Sequence, residues 1–257
     1  MDIAVCCKFV PCVQDIEKRS DNTVSFDRAV WQISDYDLQA IQTGLDIARQ
    51  TGGKLYAITV GTSAINDGRL KKDLLSRGPD ELLMIADNSL EDASTARISE
   101  LLALLIEKAQ VQLVLFGEGS ADYYYQQTGL QVGERLGWVC LNGVTSVKIE
   151  NMNTEVIVDR TTEKGCDTLS LQLPAALTVT SNICVPERPT MKTILSAGKK
   201  PCTEYSIEDL GVAEESKTQI LETMAVSSKE RKNQIIDGSA TEAASTLVRC
   251  LMADGLL

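Results

Sequence analysis

The feature that most constrains this chain is the regular alternation of short apolar runs with helical patterns across its first half. IAVCCKFV (residues 3–10) reads as a buried strand. SDYDLQAIQTGLDIARQTGG then sets Leu38, Ile41, Leu45 and Ala48 along one helical face, with Ser34 as its cap and Gly52 or Gly53 as its stop. KLYAITVG (54–61) is the next strand, 64–76 a polar helix stopped by Gly78, and ELLMIAD (81–87) a third strand. STARISELLALLIEKAQ carries Ile98, Leu101, Leu102, Leu105 and Ile106 as a wide apolar stripe, and VQLVLF (111–116) follows as a strand. Strands and helices in strict alternation predict right-handed βαβ units. The expected fold is therefore doubly wound α/β, a three-layer arrangement with a parallel sheet between helices.

After Gly137 the pattern changes. VCLNGVTSV, NTEVIVDRTT and DTLSLQLPAALTVT are extended segments between turn signals, which predicts a small antiparallel or mixed extension of the sheet. Pro186, Pro189 and Pro201 interrupt VPERPTMKTILSAGKKP, so that stretch cannot be one regular element. Residues from 202 to 238 are polar and weakly periodic, like an extended arm. The end regains helical order, with Ser239 and Glu242 spaced as a capping box before the apolar Leu247, Val248, Cys250 and Leu251. The expected division is an α/β domain over 1–200 and a C-terminal arm with a terminal helix over 201–257.

Composition narrows the chemistry. The chain of 257 residues contains no histidine, which removes the commonest general base, the usual partner of a Ser or Cys nucleophile and the commonest metal ligand. Chemistry performed here would rest on a bound cofactor. A net charge of −11 argues against nucleic-acid backbones, which need a basic face. No apolar run approaches the roughly 20 residues of a membrane helix, and MDIAVCCKFV does not read as a signal peptide. A cytoplasmic protein without membrane insertion is the expectation. The eight cysteines have no metal-binding spacing and read as reduced core thiols.

The stretch VQLVLFGEGSADYYYQQTGLQVGERLG holds the candidate site. Ligands of open parallel sheets bind beyond the carboxyl ends of the strands, where helix N-termini aim unpaired amides. Gly117 and Gly119 fall at such an end, a helix is expected from about Asp122, and Gln126, Gln127 and Thr128 can donate hydrogen bonds. Two readings stand side by side. Either residues 117–129 cradle the phosphate of a nucleotide-like ligand, or Gly117 and Gly119 form a tight turn while Gly129 and Gly133 let a helix pack closely on the sheet. Neither a GxGxxG fingerprint nor a Walker loop is complete. On a helix Tyr123, Tyr124 and Tyr125 would point roughly 100° apart, so at most one could stack on a ring or partner.

CCKFVPCVQDI, ISDYDLQAI, DLLSRGPDEL, FGEGSADYYYQQTGLQVGE and VDRTTEKGCDTLSLQLPAALTVTSNICVPERPTMKTILSAGKKP, in this order, resemble the beta subunit of electron transfer flavoproteins, and within it the FixA-type branch. The resemblance implies a partner alpha subunit whose flavin adenine dinucleotide (FAD) lies at the subunit interface. It also implies a second nucleotide buried in this chain, adenosine monophosphate (AMP) in ordinary members and a second FAD in bifurcating ones. The matching nucleotide positions are Cys6, Ser34, Val60, Asp122, Gln126, Gln127, Thr128 and Gly129. Tyr36 matches an aromatic position approaching the alpha-subunit flavin. Met191, beside Lys192, matches the tip of a recognition loop (184–200) that engages dehydrogenases, and the C-terminal arm would dock on the partner subunit. Three tyrosines stand where ordinary members have acidic and small polar residues and bifurcating members have Gly and Thr. Their bulk favours AMP.

The implied function is electron carriage from a flavin dehydrogenase, acyl-coenzyme A or carnitine-related, to a quinone oxidoreductase or ferredoxin-like acceptor. The alternatives are a bifurcating complex that oxidises NADH with a second FAD, and a stand-alone adenine-nucleotide sensor. A sensor would have no need of the Pro-rich loop and arm. An ATP pyrophosphatase would need a Ser-Gly-Gly loop where this chain has CKFVPCVQD.

Overall fold

A computed structural model describes residues 1–151, 154–212, 220–225 and 233–257. The first apolar run makes strand β1 (Ile3–Cys6), but the strand does not continue to residue 10. Lys8 leaves the ladder because the Asp37 carboxylate takes its N–H at 2.7 Å, and the chain restarts as β2 (Phe9–Pro11). A short hairpin of β3 (Glu17–Lys18) and β4 (Val24–Ser25) follows, and β5 (Trp31–Ile33) returns antiparallel to β2. Helix α1 (Asp35–Thr51) ends where expected, with Gly52 left-handed at φ 67° donating its N–H to Ala48.

Strand β6 (Leu55–Gly61) leads to a single 3₁₀ turn, and α2 (Gly68–Ser76) begins later than its sequence pattern suggests. Asp67 sets that start, its carboxylate accepting the N–H groups of Arg69 and Leu70. Then come β7 (Glu81–Ala86), α3 (Thr95–Ala109) capped by Ser94, β8 (Leu113–Gly117) and α4 (Thr128–Leu136). The second half supplies β9 (Val139–Asn151), β10 (Glu155–Thr162), β11 (Gly165–Gln172), β12 (Ala175–Val179), α5 (Met191–Ala197), β13 (Cys202–Glu204) and α6 (Ala240–Ala253).

Nine strands form one sheet in the order β11-β10-β9-β12-β8-β1-β6-β7-β13. From β9 to β13 the neighbours run parallel, and β10 and β11 add an antiparallel meander at one edge. Alternate residues of each central strand enter two separate cores. Ile3, Val5, Leu55 and Leu115 pack under α1 and α2, whereas Ala4, Cys6, Ile58 and Phe116 pack under α3 and α4. This is the three-layer α/β architecture.

DTLSLQLPAALTVT, read as one extended segment, makes two strands of different character. The polar-alternating half is the edge strand β11, while AALTV is buried throughout as β12 and inserts between β9 and β8. Beyond Lys200 the chain contributes β13 to the opposite edge, and Ile207 enters the core under α3. Much of the expected arm, residues 213–219 and 226–232, lies outside the described residues. Between them, Thr23 and Met224 form an antiparallel bridge, so the arm returns to the β3–β4 hairpin. Among the described residues no helix is long and apolar enough to cross a membrane.

Candidate functional site at the carboxyl ends of β1 and β8

The order of strands locates the site. From β1 the chain proceeds outward through β6 and β7, then crosses back to place β8 on the other side of β1. Connections diverge between β1 and β8, and it is beyond the carboxyl ends of strands at such a switch point that open α/β sheets form their ligand crevice. Cys6 ends β1, paired with Ile58 of β6 on one side and Phe116 of β8 on the other. Val60 lies near the end of β6 in the same core layer. Burial, and then the nearby Asp37 charge, pushes the thiols of Cys6 and Cys7 well up, so both pack as apolar groups. The other cysteines are exposed or half-buried, which corrects the expectation that all eight belong to the core.

The N-terminus of α1 holds this crevice together. Ser34 occupies the cap position, but its hydroxyl does not cap the helix. It accepts the N–H of Ala121 at 3.2 Å across the crevice. Asp37, one turn on, binds the N–H of Lys8 through Oδ2 at 2.7 Å and that of Gly117 through Oδ1 at 3.3 Å. Asp37 is only 5% exposed. Burial raises its pKa to about 7, against the lowering effect of the two amides and of the Lys8 charge. Gly117 cannot carry a side chain, because a Cβ would stand 2.6 Å from both Asp37 Oδ1 and the Tyr36 carbonyl. Its role in this geometry is a close approach between β8 and α1.

The loop after β8 differs from the expected helix. Residues 121–127 form a turn and an irregular passage, with Tyr124 and Gln126 at positive φ (51° and 57°), and α4 begins only at Thr128. The three tyrosines are accordingly not splayed by a helix. Tyr124 packs against Tyr36 with centroids 4.9 Å apart, and Tyr123 and Tyr125 stack on each other at 5.2 Å. Gly119 lies under Tyr124, whose ring would be 2.4 Å from any Cβ there. Lys8 Nζ sits 5.2 Å over the Tyr123 ring and pairs with Asp122 Oδ2 at 2.5 Å. For the Asp122 carboxyl, burial acts upward, but the Lys8 ammonium paired with Oδ2, helped by the nearby Ser120 hydroxyl and Tyr123 amide, outweighs it and holds the group below its ordinary value.

Two features of the crevice suit a ligand with an anionic end and a hydroxyl- or amine-bearing end. Asp122 Oδ1 is buried without a partner among the described residues, an acceptor in need of a donor. The first turn of α4 has no side-chain cap, so its leading amides are donors in need of an acceptor. Gln127 is drawn aside, accepting from Thr95 at the start of α3 at 2.9 Å, and Gln126 is exposed. Gly129 and Gly133 do pack α4 on the sheet, with Cβ positions 2.6 Å from Thr178 and 2.5 Å from Cys140. Close packing and an open helix end thus coexist in one element.

Met191 and Lys192 lie apart from this crevice, on the first turn of α5, where Met191 is 73% exposed. Helix α5 packs on α2, and Lys200 fastens the turn behind it by donating to the carbonyls of Leu75, Gly78 and Pro79 at 2.9, 3.2 and 2.6 Å. Sequence reasoning missed Asp37. Its signal was present: Asp37, Ile41, Gly44 and Ala48 share one helical stripe, so a carboxylate on that stripe faces the interior and needs donors there. The family model of the electron transfer flavoprotein domain matches residues 22–210, a span reaching from the β3–β4 hairpin past β13. With most of its length matched and its crevice at the switch point of an α/β sheet, the chain belongs to the electron transfer flavoprotein domain family.

Proposed function

We propose that this chain is the beta subunit of a heterodimeric electron transfer flavoprotein of the FixA-type branch, carrying a nucleotide in the β1–β8 crevice. The observation that carries this reading is the switch point between β1 and β8, bridged by Ser34 and Asp37 and edged by an acceptor without a partner among the described residues, Asp122 Oδ1, and by an uncapped helix, α4. Those donors and acceptors fit a nucleotide. The amides of Thr128 and Gly129 suit its phosphate, Asp122 suits a sugar hydroxyl or a base amine, and Cys6, Val60 and Phe116 give an apolar wall.

An FAD bound with the partner subunit would supply the electron-carrying chemistry. The residues of this chain bind, orient and exclude water. Tyr36 and Tyr124 cover one side of the crevice as a packed pair. That bulk favours AMP over a second FAD within this subunit. Met191 and Lys192 on α5 form the surface for a flavin dehydrogenase, acyl-coenzyme A or carnitine-related, and electrons pass on to a quinone oxidoreductase or ferredoxin-like acceptor. With a net charge of −11, the surface suits redox partners that present basic patches. Of the expected arm over 201–257, β13 and Ile207 belong to this chain's own sheet and core, and the part beyond them serves to dock on the alpha subunit.

Co-expression with an alpha subunit, followed by release and quantification of bound nucleotides, tests the reading. One FAD and one AMP per heterodimer are expected. Two FAD and no AMP would identify a bifurcating complex that uses NADH, and a chain that purifies without flavin or partner would sink the electron-transfer reading in favour of a nucleotide sensor. Tyr124→Gly tests the aromatic cover, since glycine accepts the φ of 51° without strain. Its expected result is a higher FAD-to-AMP ratio in the purified complex.

A further inference from the structure

We propose that Asp37 is the positioning residue of the crevice: as a carboxylate it holds the amides of Lys8 and Gly117 together and thereby sets the loop that receives the nucleotide. The proposal rests on the assignment of a nucleotide to this crevice. Asp37 occupies a place where an apolar residue would pack, on the buried stripe of α1 and 5% exposed. A buried carboxylate is costly unless hydrogen-bonded. Its two oxygens reach amides at the ends of two different strands, Lys8 just beyond β1 and Gly117 at the end of β8. These are the two strands that border the crevice.

Three further contacts tie the loop to the same point. Gly117 has no side chain and lies against Asp37 and Tyr36, Ser34 accepts the Ala121 N–H, and the side chain of Lys8 reaches Asp122. Loosening Asp37 therefore frees both ends of the segment 117–122. The titratable and charged groups around Asp37 are Cys6 and Cys7 on β1 and the turn after it, Lys8 on the same turn, and Asp122 on the loop. The thiols are pushed above their ordinary range and Asp122 is held below its own, whereas Asp37 is raised to about 7. Near neutrality, protonation of Asp37 converts one acceptor oxygen into a hydroxyl that meets an amide donor, and one of the two amides is released.

The test compares the full chain with its Asp37→Asn and Ser34→Ala variants. AMP binding is followed by equilibrium dialysis from about pH 5.5 to about pH 8.5, and amide exchange at Lys8, Gly117 and Ala121 is followed without ligand. Wild type should bind AMP about tenfold or more tightly at the alkaline end than at the acid end. Asp37→Asn, whose amide can accept only one of the two N–H groups, should bind weakly throughout and exchange Lys8 or Gly117 rapidly. The phosphate of AMP titrates near pH 6, so the wild-type profile is judged by its difference from that of Asp37→Asn, which retains only the ligand's own titration. Ser34→Ala should weaken binding while keeping the pH profile of wild type. Equal AMP affinity in wild type and Asp37→Asn would overturn the proposal, as would faster exchange in the variant with unchanged affinity. Failure of wild type to bind AMP or FAD at any pH would overturn the nucleotide assignment and this role with it, whatever the exchange shows.

Discussion

At the scale of single residues, buried polar groups decide more than their number suggests. Asp37 carries a pH-dependent stability whose sign follows from its raised pKa. Folding lifts the group from its ordinary 3.8 to about 7, so between those values the folded state binds the extra proton. The stability that Asp37 contributes is full at acid pH and declines as pH rises through that window. Asp37→Asn removes this dependence, and its Tm relative to wild type should rise between about pH 5 and about pH 8, measured by thermal unfolding of both proteins. Gly117 is the complementary case. Its Cβ would overlap Asp37 Oδ1 and the Tyr36 carbonyl at 2.6 Å, and backbone cannot move aside cheaply. Gly117→Ala should cost about 1–3 kcal/mol in urea unfolding, the range for forced overpacking. Gly117 stood out in the sequence as a glycine at a strand end. What it packs against did not, because Asp37 lies 80 residues away in the chain.

Elements show where local pattern suffices and where it fails. Helix α1 was legible from cap position to Gly52 because a 3.6-residue apolar period and a left-handed glycine are both local signals. Helix α4 was legible in existence and misplaced in its start. Its expected first turns hold Tyr123, Tyr124 and Tyr125, whose rings pair with each other and with Tyr36 in a non-helical loop with Tyr124 and Gln126 at positive φ. The split of β1 from β2 has a similar cause, since a side chain from α1 takes the Lys8 amide. Helix α5, only seven residues long, depends on its surroundings. Lys200 supports it from behind by satisfying three carbonyls at the end of α2 and in the turn after it. Lys200→Met should leave those acceptors short of a donor and cost about 1–3 kcal/mol, with accelerated amide exchange in α5 as the local readout.

Across the whole molecule, charge and topology act at different ranges. A net charge of −11 spread over the chain gives a long-range field that does not depend on any one contact. Association with a basic redox partner should therefore slow by about tenfold or more as ionic strength rises from about 0.05 M to about 0.5 M, while dissociation changes little. Stopped-flow mixing at several salt concentrations measures both rates. The C-terminal helix α6 displays Leu247, Val248 and Met252 to solvent and has no fully buried residue. Its capping box, read correctly from Ser239 and Glu242, starts the helix without telling what its apolar side meets.

The sequence by itself determined the α/β class, the alternation of strands and helices, the ends of α1 and the start of α6. Each rests on a short-range period or on a residue with a fixed local preference, and such information survives in one dimension. Tertiary structure alone decided that β12 inserts between β8 and β9, that β13 closes the far edge, and that Ser34 and Asp37 reach across to Ala121, Lys8 and Gly117. Those choices depend on hydrogen-bond partners distant in sequence. A buried donor or acceptor must find a mate in space, and only the folded chain brings the candidates together.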